Sequence, residues 1–405
     1  MKSQTSVPHL AERPADQGRF PGWPHFAEDQ IEAGVAVLRS GKVNYWTGEE
    51  GRQFEREYAS ATGARYAVAL ANGTVSLELA LVVLGVGVGD EVVTTPRTFI
   101  ASASCAVLRG ATPVFADVDP DSQNITAESI ERVLSPRTKA IILVHLAGWP
   151  CEMSPILELA SARGIAVIED CAQAHGAEYR GRPVGGFGIL GSYSFCQDKI
   201  ITTGGEGGLL LTNREDLWSR AWSFKDHGKS YDAVYHRQHG PGFKWLHESF
   251  GTNYRMTELQ AAIGRAQLRR LPEWVSARRR NAAALSAGFA AFDAVRVPAP
   301  PQHIRHSYYK FYAFLDIARL RCGWTRDRVV SEISALGVPC FSGSCSEIYL
   351  ERAFDGTGAR PKSRLPNARR LGESSLTFLV HPTLDESHMA RTVDVTAHIL
   401  KQALR

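Results

Sequence analysis

The chain has 405 residues, 44% of them hydrophobic and 22% charged, ordinary values for a folded protein that exclude wholesale disorder. Its 46 Lys and Arg against 42 Asp and Glu leave a net charge of +4, and the densest basic runs, Arg269-Arg270 and Arg278-Arg279-Arg280, read as a solvated helix face, so no nucleic-acid partner is expected. No stretch approaches the roughly 20 apolar residues of a membrane span, and the first thirty residues lack a signal-peptide core, so no membrane partner is expected and the cytoplasm is the expected location.

Residues 1–25, with Pro8, Pro14, Pro21 and Pro24, read as an extended N-terminal arm, expected outside any core as far as about residue 22. Helices are expected over 27–38 and 52–60, with a polar and aromatic loop, 42–48, between them. From Ala64 onward short β-rich runs alternate with turn residues and helical periods, the grammar of a parallel sheet covered by helices. The strands are predicted at 66–70, 91–95, 113–116, 139–144, 165–169, 192–196 and 207–212, with helices at 74–84, 99–109, 126–134 and 154–163. The last two strands are too close for a helical crossover, so one of them should run antiparallel. A helix over 214–224 then leads into a long polar segment, 226–252, and a helix from 257 to about 292 is expected to break or kink at Pro272. The expected organisation is a large domain over 26–255, a connecting helix over 256–293 and a smaller C-terminal α/β domain over 294–405.

Seven cysteines fit a reducing compartment. Cys340 and Cys345 approach a ligand spacing but have no partnered His or Cys pair, so no metal is expected.

In an open parallel sheet, ligands bind beyond the carboxyl ends of the strands. After the first predicted strand, Asn72-Gly73-Thr74 opens a helix whose free N–H groups suit a phosphate, although the same residues also read as an ordinary cap. After the second, Thr98-Phe99 offers an aromatic face, which by itself reads as core. After the fifth come Asp170 and Gln173; a carboxylate leaving an apolar strand needs a cationic partner, and a pyridinium nitrogen would serve. After the sixth, Lys199 stands just before Thr202-Thr203-Gly204-Gly205-Glu206-Gly207-Gly208, where an amine can act as a nucleophile toward an aldehyde; alone, it reads as a surface lysine. Gly85-Val86-Gly87-Val88-Gly89-Asp90 follows a helix and precedes a strand, the reverse of a dinucleotide loop, and reads as a helix cap and turn. A lysine, an aspartate, an aromatic ring and a phosphate-binding helix end on one sheet edge together answer to pyridoxal 5′-phosphate.

The chain resembles the DegT/DnrJ/EryC1/StrS family of sugar aminotransferases from about residue 20 to residue 385. The marks are Asn72-Gly73-Thr74, Pro96-Arg97-Thr98-Phe99, Val144-His145-Leu146-Ala147-Gly148, Glu169-Asp170-Cys171-Ala172-Gln173-Ala174-His175-Gly176, Ser194-Phe195 with Lys199, Gly205-Glu206-Gly207-Gly208 and Asn253-Tyr254-Arg255-Met256. The resemblance implies an α/β fold of the aspartate-aminotransferase type (fold type I), with a mostly parallel seven-stranded sheet and a smaller C-terminal domain. It also implies that Lys199 attaches the cofactor and shuttles the proton, Asp170 pairs with the ring nitrogen, Gln173 bonds the ring hydroxyl and Phe99 stacks on the ring. Gly73, Thr74 and Ser194 would hold the phosphate, with Asn253 reaching it from the neighbouring subunit of a homodimer. Dehydratases of the family carry histidine in place of the lysine; this chain keeps Lys199, which favours transamination.

The expected reaction moves the amino group of glutamate to a keto group on a nucleotide-linked sugar. Loops 42–48 and 226–252 are candidates for gripping the nucleotide, through Tyr45, Trp46, Thr47, Lys229, Arg237 and Lys244, each of which also reads as an ordinary solvated or structural side chain. His145, His175 and His227 are candidates to assist proton transfer, with a structural reading preferred for the first two. The chain departs from the family pattern at Ala147, where many members carry Tyr or Phe, and over 341–349, regions expected to shape the sugar site. The rival readings are a keto-cyclitol aminotransferase and a non-catalytic cofactor-binding regulator.

Overall fold

The computed structural model describes residues 20–405. Nine strands come first along the chain: β1 (Tyr66–Leu70), β2 (Glu91–Thr94), β3 (Thr112–Phe115), β4 (Thr138–Val144), β5 (Ala166–Asp170), β6 (Glu178–Tyr179), β7 (Arg182–Pro183), β8 (Leu190–Ser194) and β9 (Gly208–Thr212). Seven of them form one sheet in the order β1-β9-β8-β5-β4-β2-β3, which is the sheet the sequence pattern predicts. β9 pairs antiparallel with both β1 and β8, while the pairs β2–β3, β2–β4, β4–β5 and β5–β8 are parallel. The short connection from β8 to β9 turns the chain straight back, as its length requires.

Both faces of this sheet are covered. Along β4, Ile141 and Leu143 join the core on one side and Ile142 joins the core on the other, the two-residue period of a strand buried on both faces. Helices Gly73–Val83, Ala101–Leu108 and Met153–Arg163 occupy the connections. The helix expected from residue 99 begins at Ala101 instead, which leaves Thr98 and Phe99 in the turn that follows β2. There the Thr98 N–H donates to the Cys345 carbonyl at 3.1 Å, tying that turn to the C-terminal part of the chain.

The long helix spans Glu258–Phe289 and starts from a capping box in which Thr257 and Gln260 bond each other's backbone. It runs through Pro272 without a break. Proline removes one N–H from the ladder, but the helix buries Ala261, Ala266, Trp274, Ala282 and Phe289, and packing along its length outweighs a local cost of about 3 kcal/mol. Beyond it lie β10 (Val295–Arg296), β11 (Ile304–Arg305), β12 (Phe311–Leu315), β13 (Cys340–Phe341) and β14 (Ser375–Phe378). Four of these make a second, antiparallel sheet in the order β10-β12-β14-β13. β11 instead pairs with β6, placing residues 304–309 beside the large sheet.

Most of the expected N-terminal arm, residues 1–19, lies outside the described residues. Its end is anchored: Phe20 meets His388 edge-on at 5.2 Å, and Trp23 meets Trp274 at 5.0 Å and donates from Nε1 to the Lys199 carbonyl at 2.8 Å. Among the described residues no helix is long and apolar enough to cross a membrane.

Candidate active site

A cavity of about 1130 Å³ opens where the carboxyl ends of β1, β2, β5 and β8 meet the small sheet. Gly73 and Thr74 line it after β1, Phe99 after β2, Asp170 at the end of β5 with Gln173 beyond it, and Ser194 at the end of β8 with Lys199 beyond it. Thus seven residues chosen from sequence converge on one space, although they are spread over more than a hundred positions. Phe99 is 69% exposed at this cavity, so it is a wall residue and not the core residue its chemistry alone suggested.

The helix Gly73–Val83 is capped by Asn72, whose Oδ1 accepts from the Val75 N–H at 3.0 Å and whose carbonyl accepts from the Ser76 N–H. Of the first-turn donors, those of Gly73 and Thr74 therefore remain without an intrahelical acceptor. A Cβ on Gly73 would stand 2.5 Å from the Ser194 Cβ, so only glycine lets the helix end approach the Ser194 hydroxyl this closely. Gly208 is equally constrained: a Cβ there would stand 2.1 Å from the Asn72 carbonyl.

Asp170 is buried at the end of β5. Its Oδ2 accepts from the Ser102 hydroxyl at 2.8 Å and its Oδ1 from the Ala172 N–H at 3.1 Å, but among the described residues no cation pairs with it. Burial pushes the carboxyl up, against the pull of those two donors. Gln173 has its orientation fixed, because Oε1 accepts from the Ala147 N–H at 2.7 Å and leaves the NH2 group to donate elsewhere. Beneath them, Glu169 accepts from the N–H groups of Gly185, Phe187 and Gly188 at 2.7 Å each and from His145 Nε2 at 3.0 Å. His145 Nδ1 accepts from the Cys151 N–H at 3.0 Å, which puts the ring proton on Nε2.

Lys199 lies in the turn after β8, five positions beyond its last residue, Ser194, and not on the strand itself. Its Nζ is 3.3 Å from Asp198 Oδ1 and 3.5 Å from the Tyr309 hydroxyl, which in turn donates to Asp198 Oδ2. Burial alone would raise the Asp198 carboxyl, but Lys199 and the Tyr309 hydroxyl hold it below the usual range. Tyr309, Lys310, Tyr312 and Thr377, from the C-terminal part of the chain, form the opposite wall. Sequence reasoning missed all four; a lysine inside the aromatic run Tyr308-Tyr309-Lys310-Phe311-Tyr312 was the available signal.

The sequence profile of the DegT/DnrJ/EryC1/StrS aminotransferase family matches residues 24–396. The chain belongs to that family. It is 40% identical over 363 residues to GDP-perosamine synthase of Caulobacter vibrioides, covering 88% of this chain and 92% of that one. It is 34% identical to UDP-N-acetyl-3-dehydro-alpha-D-glucosamine 3-aminotransferase of Acidithiobacillus ferrooxidans, covering 93% of this chain and 96% of the other. A solved aminotransferase from Psychrobacter cryohalolentis shares 54% identity and a TM-score of 0.93, covering 95% and 99% of the two chains. The protein is therefore a pyridoxal-phosphate-dependent aminotransferase with the fold of that family.

The residues present fit this cofactor. The unpaired buried carboxylate of Asp170 suits a pyridinium nitrogen, and the Gly73–Thr74 helix end beside Ser194 suits a phosphate. The remaining sequence candidates of the family site lie elsewhere within one chain. Asn253 is exposed and bridges to Asp226 outside the cavity. Tyr45 is a core residue, its hydroxyl 3.2 Å from Trp222 Nε1 and its ring 3.8 Å from the Lys225 ammonium. Thr47 bonds the Asn44 carbonyl, and Lys229 is held by Asp226 at 3.1 Å and lies over the Trp46 ring. Arg237 pairs with Glu248 at 2.7 Å and Lys244 is exposed, so none of these six lines the cavity.

His175 is structural, with Nδ1 2.7 Å from the Tyr58 hydroxyl and Nε2 2.9 Å from the Ser194 carbonyl; burial pushes it down to about 3. His145 is likewise locked in hydrogen bonds, and His227 does not line the cavity. His145, Glu169 and Cys171 bring ligand atoms within 4.8 Å of one another, but both His145 nitrogens and both Glu169 oxygens are already committed to protein hydrogen bonds. Of the departures from the family pattern, residues 341–349 reach the cavity through Phe341, Gly343, Ser344, Cys345 and Ile348, whereas Ala147 does not line it and meets the site only through its N–H, which donates to Gln173.

Proposed function

We propose that this aminotransferase carries the amino group of glutamate to a keto group on a nucleotide-linked sugar or deoxysugar, for the synthesis of amino sugars found in surface polysaccharides or glycosides. Two relatives more than 30% identical over most of the chain bear nucleotide-sugar names, and this observation carries the reading. Bound pyridoxal phosphate supplies an electron sink for the carbanion formed at the substrate carbon. Lys199 would be the residue that holds it and moves the proton, its amine steered by Asp198 and Tyr309. Asp170 would keep the ring nitrogen protonated, the Gln173 NH2 would be free to donate to the ring hydroxyl, and Phe99 would cover one ring face. Gly73, Thr74 and Ser194 hold the phosphate from within the chain. A second copy contributes Asn253, which explains its position outside the cavity of its own chain and makes a homodimer the working unit. The large unit, residues 26–255, supplies the cofactor wall, and residues 294–405 supply the other, with 256–293 between them.

The test is a two-step assay on cofactor-loaded protein. Glutamate alone should bleach the visible band, and addition of a GDP- or UDP-linked keto sugar should restore it with release of the amino sugar, giving ping-pong kinetics. Restoration by a keto-inositol and by no nucleotide-linked ketone would assign the cyclitol reaction instead. A band indifferent to every amino donor would mark a regulator.

A further inference from the structure

The small-sheet wall of the cavity contains a cation without an anion. Lys310 lines the cavity immediately before β12 and shares a strand face with Tyr312, two residues on. Opposite Tyr312 in β14 stands Thr377, whose hydroxyl is buried without a hydrogen-bond partner and also lines the cavity. Lys310 makes no hydrogen bond or ion pair with any described residue; its ammonium lies 5.0 Å from the Tyr309 ring centroid. The carboxylate best placed to neutralise it, Asp198, is already engaged by the Tyr309 hydroxyl and by Lys199 at 3.3 Å. Burial pushes Lys310 down to about 8; Asp198 opposes the shift, while Arg278 and Lys199 add to it. An ammonium held in this state gains from any oxyanion that reaches it, because the lost hydration is replaced by a direct partner.

We propose that Lys310 recognises an oxyanion of the substrate, with the Thr377 hydroxyl as a second donor on the same wall. The proposal rests on the aminotransferase reading, in which each half of the reaction delivers an anion to this space: the donor brings a carboxylate, and the nucleotide-linked ketone brings a diphosphate. A flexible ammonium is a point charge that serves either group, whereas the cofactor wall is shaped for a single planar ring.

The test measures dissociation constants on cofactor-loaded protein by calorimetry, with glutarate as an unreactive dicarboxylate probe and GDP as a diphosphate probe. K310M should weaken at least one probe by about tenfold or more, K310R should restore that probe to within about threefold, and T377V should weaken the same probe by a smaller factor. Loss confined to glutarate assigns the donor carboxylate, and loss confined to GDP assigns the phosphate. An unchanged visible band in each variant verifies that the fold and cofactor site are intact. The proposal is overturned if K310M binds both probes within about twofold of the parent, or if the parent binds neither. Because these constants do not depend on turnover, a failure of the glutamate and keto-sugar assay leaves them readable.

Discussion

The two walls of the cavity are built on opposite plans. On the large-sheet side, Gly73, Asp170, Gln173 and Ser194 sit at strand ends, each locked by backbone hydrogen bonds or by steric contact. On the small-sheet side, Tyr309 and Lys310 stand on irregular chain just before β12; the Tyr309 hydroxyl reaches across to Asp198, and the Lys310 ammonium lies over the Tyr309 ring without an ion pair among the described residues. The first wall is matched to a group of fixed shape, the cofactor. In the proposed reaction the second faces what changes from one substrate to the next, and its lysine is correspondingly less committed.

The sharpest way to break this contrast is at Asp170. Asp170→Asn keeps the shape and the Ser102 bond but removes the charge proposed to face the ring nitrogen, and turnover should fall on the order of a hundred- to a thousandfold, the cost of breaking a buried charge pair. Steady-state rates at saturating cofactor give the answer, and a loss below about fivefold would mean that Asp170 does not face a cation.

A paired substitution sharpens the contrast further. A Cβ at Gly73 would meet the Ser194 Cβ at 2.5 Å, and a Cβ at Gly343, whose φ is +91°, would meet the Tyr312 ring at 2.5 Å. Overpacking of this kind costs roughly 1–3 kcal/mol. G73A should lower cofactor affinity about tenfold or more, read by equilibrium dialysis, while G343A should leave cofactor affinity near the parent value and raise a substrate KM instead. The reverse assignment would mean that the walls have been named the wrong way round.

A third expected effect is one that both walls share. His175 lies beneath Ser194 and His306 beside Tyr308, and burial pushes each down to about 3. Both are neutral in the fold, whereas in the unfolded chain they protonate near pH 6.5, so the unfolded state takes up protons that the fold refuses as pH falls from 6.5 toward 3. Stability should therefore fall in acid by about 1.4 kcal/mol per pH unit for each histidine, with Asp170, whose carboxyl is raised, opposing the trend. Urea midpoints between pH 7 and pH 5 measure the slope, and His175→Gln should flatten it; a slope unaffected by that change would contradict the assignment.

The pattern of legibility follows the same division. Strands such as Ile141-Ile142-Leu143 announce themselves because a buried parallel strand has nothing but apolar residues to show, and the close spacing of β8 and β9 forces the reversal. Residues after those strands were readable for the same reason: a polar residue such as Asp170 at the end of an apolar run stands out. Tyr309 was hidden because its partners, Asp198 and Lys199, lie more than a hundred residues earlier, and no local period records a contact across that distance; Lys310 beside it has no partner among the described residues to reveal it. Tyr45 and Trp46 do not line the cavity of their own chain, and an aromatic loop next to charged residues has the same composition whether it grips a ligand or packs around lysines such as Lys225 and Lys229. Pro272 does not break the helix: local propensity cannot weigh the burial of Ala261, Trp274 and Phe289 along it.

The most direct measurement is borohydride reduction of the pyridoxal-phosphate-loaded protein followed by peptide mapping, since reduction fixes the cofactor to whichever lysine carries it. The account predicts one labelled peptide, containing Lys199, and no label in the K199A variant. Label on Lys310, or no label in a protein that binds the cofactor, would contradict it.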